Sequence, residues 1–157
     1  MTVGCAGRWL SVLLVLVVVS GCAGLPQAES PDWRDQVIER ISTEELLELM
    51  TLQGYEVSLD EDGDILWHQE GRPTYIMVLS SQQTLLFMAL YHNERTSMAD
   101  INQWNASRLF SRAYLDGDDD PILELDLSLR GGITMGHLVD FLTLCQIAFD
   151  EWYHEVL

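Results

Sequence analysis

Lysine is absent from this 157-residue chain, and all eight of its basic residues are arginine. Against them stand 25 aspartates and glutamates, which give a formal net charge of −17. Nucleic-acid binding takes much of its affinity from basic side chains that displace counterions from phosphates. Eight scattered arginines cannot build such a surface, so nucleic acid is excluded as a partner. The same charge repels anionic lipid headgroups, so surface electrostatics cannot hold the protein on a membrane.

Cysteine is scarce, with three residues in the chain. Cys5 and Cys22 lie near the N-terminus, which leaves Cys145 alone in the part expected to fold. A single thiol cannot form an intramolecular disulfide. Because Cys145 lies in an apolar helical stripe, the sequence predicts a buried, unreactive thiol there.

Motifs for nucleotide binding and acyl transfer are missing: there is no P-loop, no G-x-G-x-x-G and no nucleophile elbow. Two acidic clusters, at Asp60 and Asp116, begin like calcium loops. An EF-hand loop needs Gly at its sixth position and Glu at its twelfth. In the second cluster these positions hold Pro121 and Leu127, and the first cluster fails in the same way.

The four histidines are dispersed, and none has a second histidine or a cysteine at the spacing of metal ligands. They are His68, His92, His137 and His154. The sequence therefore predicts no metal, no cofactor and no catalytic residue. A Ser/His/Asp triad can have members far apart in sequence, so a hydrolase that uses His137 or His154 stays open as the alternative.

The N-terminus carries an apolar run from Trp9 to Val19, preceded by Arg8 and followed by Ser20-Gly21-Cys22. Eleven residues span about 16 Å as a helix, against a hydrocarbon core of about 30 Å. The run is thus too short to cross a membrane and has the length of a secretory signal. It resembles a bacterial lipoprotein signal, in which small residues precede the cysteine that is lipidated.

This segment sets the expected organisation. Residues 1–21 form the signal peptide, residues 22–40 the lipidated N-terminus and a tether, and residues 41–157 the folded domain. The lipid on Cys22 places the protein in the bacterial envelope. Ala23 follows the cysteine where Asp would favour inner-membrane retention, so a cell with two membranes is expected to carry it on the periplasmic face of the outer one.

The folded part reads as an α+β domain with a single antiparallel sheet packed by helices. Ser42 and Glu45 form a capping-box pattern that starts the first helix, and Gly54 ends it. For residues 32–41 a helix and an extended strap both fit the pattern. The predicted order is α-β-β-β-α-β-β-α, with three or four strands in the first group. Strands are expected at 55–59, 65–69, 75–79, 85–91, 111–115 and 122–129, and the later helices at 98–109 and from 134 onward.

The last helix has an a/d stripe from Met135 to Val156. Phe141, Leu144 and Ala148 lie about a third of a turn away from that stripe. Either the helix is sandwiched between other elements, or this second row forms a surface for a homodimer or a client chain. We take these three residues as candidates for an interaction surface.

Trp104 and Asn105 complete the candidate surface, because tryptophan is a common anchor in interfaces. Trp104 has helical spacing with Ile101, and this pattern favours a core position over an exposed one.

Four motifs of the second half resemble bacterial YbjN-domain proteins. They are I-N-Q-W-N at 101–105, F-S-R-A-Y-L-D at 110–116, D-P-I-L-E-L-D at 120–126 and G-G-I-T at 131–134. The resemblance runs roughly from Ile41 to Trp152. It implies a fold similar to that of type III secretion chaperones, which are small dimers that hold partner chains. It also implies regulatory or chaperone-like roles, without established catalytic residues.

The lipoprotein signal departs from the usual cytoplasmic member of that family and favours an envelope role. The sequence therefore predicts a lipid-anchored, non-catalytic protein-interaction or chaperone-like module whose partner it does not identify. An envelope sensor or signalling lipoprotein is the second possibility, and an envelope hydrolase the third.

Overall fold

The computed structural model describes Met1 and residues 32–79, 81–92 and 96–157. The chain divides into two units, Met1–Ser30 and Pro31–Leu157. The expected signal peptide and the lipidation site Cys22 lie outside the described residues. The helices and strands assigned to the described residues all belong to the second unit.

Three α-helices form where the sequence supplies caps and apolar faces: α1 is Thr43–Leu52, α2 is Met98–Ser107 and α3 is Met135–Glu155. The hydroxyl of Ser42 accepts a hydrogen bond from the Glu45 amide, while the Glu45 carboxylate accepts one from the Ser42 amide. This reciprocal pair confirms the predicted capping box.

Six strands form one antiparallel sheet, in the spatial order β2-β3-β4-β5-β7-β6. The tight turn between β3 and β4 is made by Glu70 and Gly71, both with positive φ, which is the geometry that favours a two-residue hairpin. The strands are β2 (Glu56–Leu59), β3 (Ile65–Gln69), β4 (Arg72–Leu79), β5 (Thr84–Leu90), β6 (Arg112–Leu115) and β7 (Pro121–Ser128).

The α+β class is confirmed, and the prediction of a single sheet is corrected. The main sheet has four strands between α1 and α2, in agreement with the predicted three or four, but β4 begins at Arg72 and not at 75. Pro73 lies opposite His68 of β3 and outside the register of β4 with β5, which starts at Tyr75, so its missing amide hydrogen interrupts no pairing with β5. The sheet is not the only one, since β1 (Val37–Ile38) pairs with β8 (Ile133–Thr134) in a separate two-stranded sheet.

Residues 32–40, assigned to the tether on sequence grounds, pack on α3 as a mainly extended strap. One 3₁₀ turn, Trp33–Asp35, precedes β1. The amide of Met135 donates to the Gln36 carbonyl at 2.8 Å, and a Cβ on Gly136 would come within 3.2 Å of the Arg34 carbonyl oxygen. A side chain at this position would require the strap to move away from α3 by a few tenths of an ångström. Of the two alternatives for this segment, the extended strap is the nearer one.

The hydrophobic core lies between the three helices and one face of the sheet. The a/d stripe of α3 is buried from Leu138 to Val156, and it meets the inward side chains of the central strands, such as Trp67 and Phe87. Among the described residues, no helix is long and apolar enough to cross a membrane.

Candidate interaction surface

Trp104 and Asn105, two of the sequence candidates, both serve the fold. Trp104 is 2% exposed, and its Nε1 donates to the Ser111 hydroxyl at 3.1 Å. Asn105 bonds with its side-chain amide to the backbone of Ala113. The core position favoured for Trp104 is therefore confirmed, and its indole is not available to a partner.

The expected exposed row on α3 is wrong for two of its three members. Phe141 and Ala148 are each only 7% exposed and belong to the core. Besides β7, α3 contacts the 3₁₀ turn of the strap and β8. A wider part of its circumference is thus buried than one sheet face would cover. Leu144 is half-buried and Ile147 is 51% exposed. Of the three candidates, Phe141 and Leu144 line a surface groove, and Leu144 is the more exposed of the two.

That groove, called the α3 groove here, runs beside α3 and has a volume of about 310 Å³. Its apolar lining comes from the end of β7, the loop after α2 and one side of α3. Asp126, Asp140 and His137 form its polar rim, and Phe110, Leu127, Phe141 and Leu144 form its apolar lining.

Phe110 lines the α3 groove, and Phe110 and its neighbour Leu109 are each 77% exposed. Phe110 also has a φ of 63°, in the left-handed region that costs a non-glycine residue about 1–2 kcal/mol. An exposed aromatic ring held by a strained backbone gains nothing for the isolated fold. Such strain is typical of functional loops, and this loop is the strongest indication of a binding site on the helical side of the domain.

The electrostatics of the rim are acidic. Asp140 pairs with Arg34 at 3.2 Å and Asp126 approaches Arg112 at 3.8 Å, both on the surface. Exposed ion pairs of this kind are weak and are screened by salt. Since the chain carries a net charge of −17, the rim attracts a cationic group far better than an anionic one.

The acidic clusters of the sequence form hairpin turns. The Asp60 carboxylate accepts hydrogen bonds from the amides of Asp62 and Asp64, and the Asp116 carboxylate accepts from Asp118 and Asp120 in the same way. Burial and the two neighbouring carboxylates raise the pKa of Asp64. Within the ranges that the structure describes, no group of three or more His, Cys, Asp or Glu side chains could hold a metal ion.

Cys145 is fully buried, and burial raises the pKa of its thiol well above the usual value. A thiol in this state is a poor nucleophile, which confirms the prediction of a buried small residue.

The two histidines of the hydrolase alternative, His137 and His154, are both exposed. His154 lies 3.5 Å from Asp150 on the same helix, and His137 lies on the rim of the α3 groove. The absence of a metal or a catalytic residue stays a prediction.

Sequence reasoning missed Phe110 and Leu127 as parts of a site. The available signal was the apolar pair at 109–110 directly after a polar helix end, since two large apolar residues in a loop are uncommon without a partner. Which side of α3 they approach depends on the path of the loop, and no sequence pattern encodes that path.

Comparison with known proteins identifies the domain. The sequence model of a family described as "YbjN: Putative bacterial sensory transduction regulator" matches residues 42–157. Among curated proteins, none matches the chain significantly. The fold is similar to that of a crystal structure of YbjN from E. coli, described as "a putative transcription regulator". The TM-score is 0.61 at 18% identity, with 78% of this chain and 98% of that one covered.

Proposed function

Because this chain belongs to the YbjN family, we propose that it is a lipid-anchored, non-catalytic protein-interaction module of the bacterial envelope. The observation that carries this proposal is Phe110, an exposed aromatic ring on a strained backbone beside an apolar groove. The description of the family as a sensory transduction regulator is compatible with such a module.

The partner of the α3 groove is a polypeptide segment with an apolar anchor and adjacent basic residues. A volume of about 310 Å³ accommodates one or two large side chains. Asp126 and Asp140 on the rim favour arginine or lysine beside that anchor. Phe110 packs against the anchor at the side of the groove.

The proposed lipid on Cys22 determines where in the cell this module acts. Two or more acyl chains, as the resemblance to bacterial lipoproteins implies, bind a bilayer far more firmly than one, at about 0.8 kcal/mol per buried CH₂. Ala23 directs the protein to the periplasmic face of the outer membrane where the cell has two membranes. A lipid anchor and a binding groove on one chain recruit the partner to the membrane surface.

The test is cross-linking in intact cells with a photoreactive residue at position 110 of the full chain. We expect a discrete adduct with one protein, in which the cross-linked peptide contains an apolar residue next to arginine or lysine. Leu144→Glu should abolish this adduct, because it replaces part of the apolar lining of the α3 groove with a carboxylate that an apolar anchor would have to desolvate.

Ile147→Glu is the matched control, since Ile147 is exposed on the same helix but does not line the α3 groove. It should leave the adduct unchanged. Equal yields from a photoreactive residue at position 52, where Leu52 is 75% exposed, would show that the cross-linking is unspecific and would overturn the assignment of the groove.

An envelope sensor that transmits a signal through the same partner is the second candidate. The family description favours it. It predicts that the yield of the adduct changes when the envelope is stressed, whereas a constitutive chaperone-like module would keep that yield constant.

A further inference from the structure

A second groove, called the turn groove here, lies between the β3–β4 turn and the C-terminal half of α3. Its volume is about 340 Å³, within the range of about 300–1,000 Å³ that is usual for small-molecule sites. Its polar and aromatic lining includes Gln69, Glu70, Arg72, Asp150, Glu151 and Tyr153. Among the described residues, none that lines the turn groove also lines the α3 groove. The two sites are therefore separate.

Gln69 lies at the floor of the turn groove. It continues the inward row of β3 after Ile65 and Trp67, so its side chain points to the side of the sheet on which α3 packs. Gln69 is 5% exposed, and Phe149, the other floor residue, is 3% exposed. A side-chain amide in so buried a position needs hydrogen-bond partners at both of its ends.

Only one end of the Gln69 amide has a partner among the described residues. Its Nε2 donates to the Thr74 hydroxyl oxygen at 3.1 Å, and that hydroxyl donates its own hydrogen to the Trp67 carbonyl at 2.9 Å. Because the hydrogen of Thr74 is already used, Thr74 can only accept from Gln69, which fixes the orientation of the amide. The buried Oε1 is left without a partner. A donor that enters the turn groove would satisfy it.

The walls of the turn groove are acidic. Glu70, Asp150 and Glu151 contribute three carboxylates, and Arg72 contributes one guanidinium. That guanidinium bonds to Glu70 at 3.1 Å and lies over the Tyr153 ring, 3.7 Å from its centroid, so its charge is engaged within the chain. Since the whole molecule carries a net charge of −17, the turn groove favours a cation and disfavours an anion.

Asp150 keeps more acceptor capacity than the other two carboxylates. Glu70 and Glu151 each lie 3.1 Å from an arginine nitrogen. Asp150 has His154 at 3.5 Å, and its side chain is 60% exposed. A carboxylate offers about four sites for hydrogen bonds, so Asp150 can accept from a ligand while it keeps its contact with His154.

A single metal ion does not match this lining. Within the described ranges, no group of three or more His, Cys, Asp or Glu side chains could hold one, so the three carboxylates do not converge on one point. A flexible chain with separated ammonium groups fits carboxylates that stand apart. Its methylene groups can lie on Phe149 and Ile147, the apolar part of the lining. Each primary ammonium group brings three donors.

We propose that the turn groove binds an aliphatic polyamine. One ammonium group donates to Gln69 Oε1 and to Asp150, and a second lies beside Glu70 on the wall opposite α3. The proposal does not depend on the protein partner of the α3 groove, because the two grooves have no lining residue in common.

The test is isothermal titration calorimetry of the full chain in detergent, with spermidine as the ligand. At an ionic strength of about 0.15 M the Debye length is about 8 Å, so binding to the diffuse charge of the molecule is screened. We expect one site per chain with a Kd below about 1 mM. Gln69→Leu and Asp150→Asn should each raise this Kd at least about 10-fold, because a charged donor loses its acceptor.

Glu48→Gln is the matched control for charge. Glu48 is exposed on α1 and lines neither groove, and its substitution removes one carboxylate just as Asp150→Asn does. It should leave the Kd unchanged. Magnesium chloride supplies a compact divalent cation and should compete poorly with spermidine. Lysine blocked at its α-amino and carboxyl groups, which represents a lysine side chain in a polypeptide, has one ammonium group and should bind more weakly.

Circular dichroism shows whether each variant is folded. Where Gln69→Leu fails to fold, Asp150→Asn, at an exposed position, decides in its place. The proposal is overturned by the absence of spermidine binding, by folded groove variants that keep the wild-type Kd, or by magnesium that competes as well as a polyamine. Blocked lysine that binds as tightly as spermidine would also overturn it, by identifying a polypeptide side chain as the ligand.

Discussion

The side chain of Asn105 and the backbone of Ala113 bond to each other in both directions. The Asn105 Nδ2 donates to the Ala113 carbonyl at 2.8 Å, and the Ala113 amide donates to the Asn105 Oδ1 at 2.8 Å. Ala113 lies on β6, an edge strand of the main sheet. The amide group of Asn105 therefore takes the place that a neighbouring strand would otherwise fill, which protects this edge from pairing with another chain.

Asn105→Ala should lower the free energy of unfolding by about 1–3 kcal/mol, because it leaves a backbone donor and acceptor of β6 without these partners. Denaturant unfolding measures the change. Asn102→Ala, on an exposed position of the same helix, is the matched control and should change stability by less than about 0.5 kcal/mol. Equal losses in the two variants would show that helix propensity, not the bond to Ala113, matters.

Leu142→Glu should prevent folding, whereas Leu144→Glu should give a folded protein. Leu142 is fully buried, and an unpaired carboxylate there costs several kcal/mol, a large part of the stability of a small domain. Leu144 faces the α3 groove, so its carboxylate remains in water. Circular dichroism and soluble yield separate the two variants, and a folded Leu142→Glu protein would contradict the burial of the α3 stripe.

Cys22→Ala should block lipidation and leave the protein unprocessed or released from the membrane. Palmitate labelling followed by membrane fractionation measures both effects. Cys5→Ala is the matched control, because Cys5 lies within the signal peptide and should not affect labelling. Normal labelling of the Cys22→Ala protein would rule out the lipoprotein assignment.

Stability should carry a pH-dependent contribution from His92 and Asp120. Nδ1 of His92 lies 2.6 Å from Asp120 Oδ2, and this hydrogen bond raises the pKa of His92 above its ordinary value of 6.5. Since the folded chain binds the proton more tightly than the unfolded chain, the contribution is complete below pH 6.5. It is lost as the pH rises through the higher pKa of the folded state.

An NMR titration of the histidines gives the pKa of His92 directly, and Asp120→Asn should bring it down. In thermal melts, His92→Gln should remove part of the fall in Tm between mildly acidic and alkaline pH. His137→Gln, at an exposed position near the start of α3, should keep the wild-type dependence. A His92 that titrates near 6.5 in the wild-type chain would refute this explanation.

Local patterns were enough for the elements whose signals are local. Ser42 with Glu45 marks the start of α1, and β3 was predicted with both of its bounds. The strand predicted at 75–79 begins at Arg72 instead, and this error has a physical origin. Proline predicts a break in a strand, yet here the hairpin turn consists of Glu70 and Gly71 and ends before Arg72. The register then fixes Pro73 opposite His68.

The α3 groove was beyond sequence reasoning for a different reason. Phe141 and Leu144 both lie in the second row of α3 and both line the groove, but Phe141 is 7% exposed and Leu144 is half-buried. The path of the loop at Phe110, which no sequence pattern encodes, determines which side of α3 forms the groove.

The strap that joins β1 to β8 determines how force would travel through the protein. In a chain held at its N-terminal side by the lipid that we propose, a pull enters at residues 32–38 and loads the bond from Met135 to Gln36 and the two short paired strands. It reaches the N-terminal end of α3 before it reaches the bond from Ile41 to Gln82 beside the main sheet. The strap would therefore separate from α3 before the six-stranded sheet bears the load.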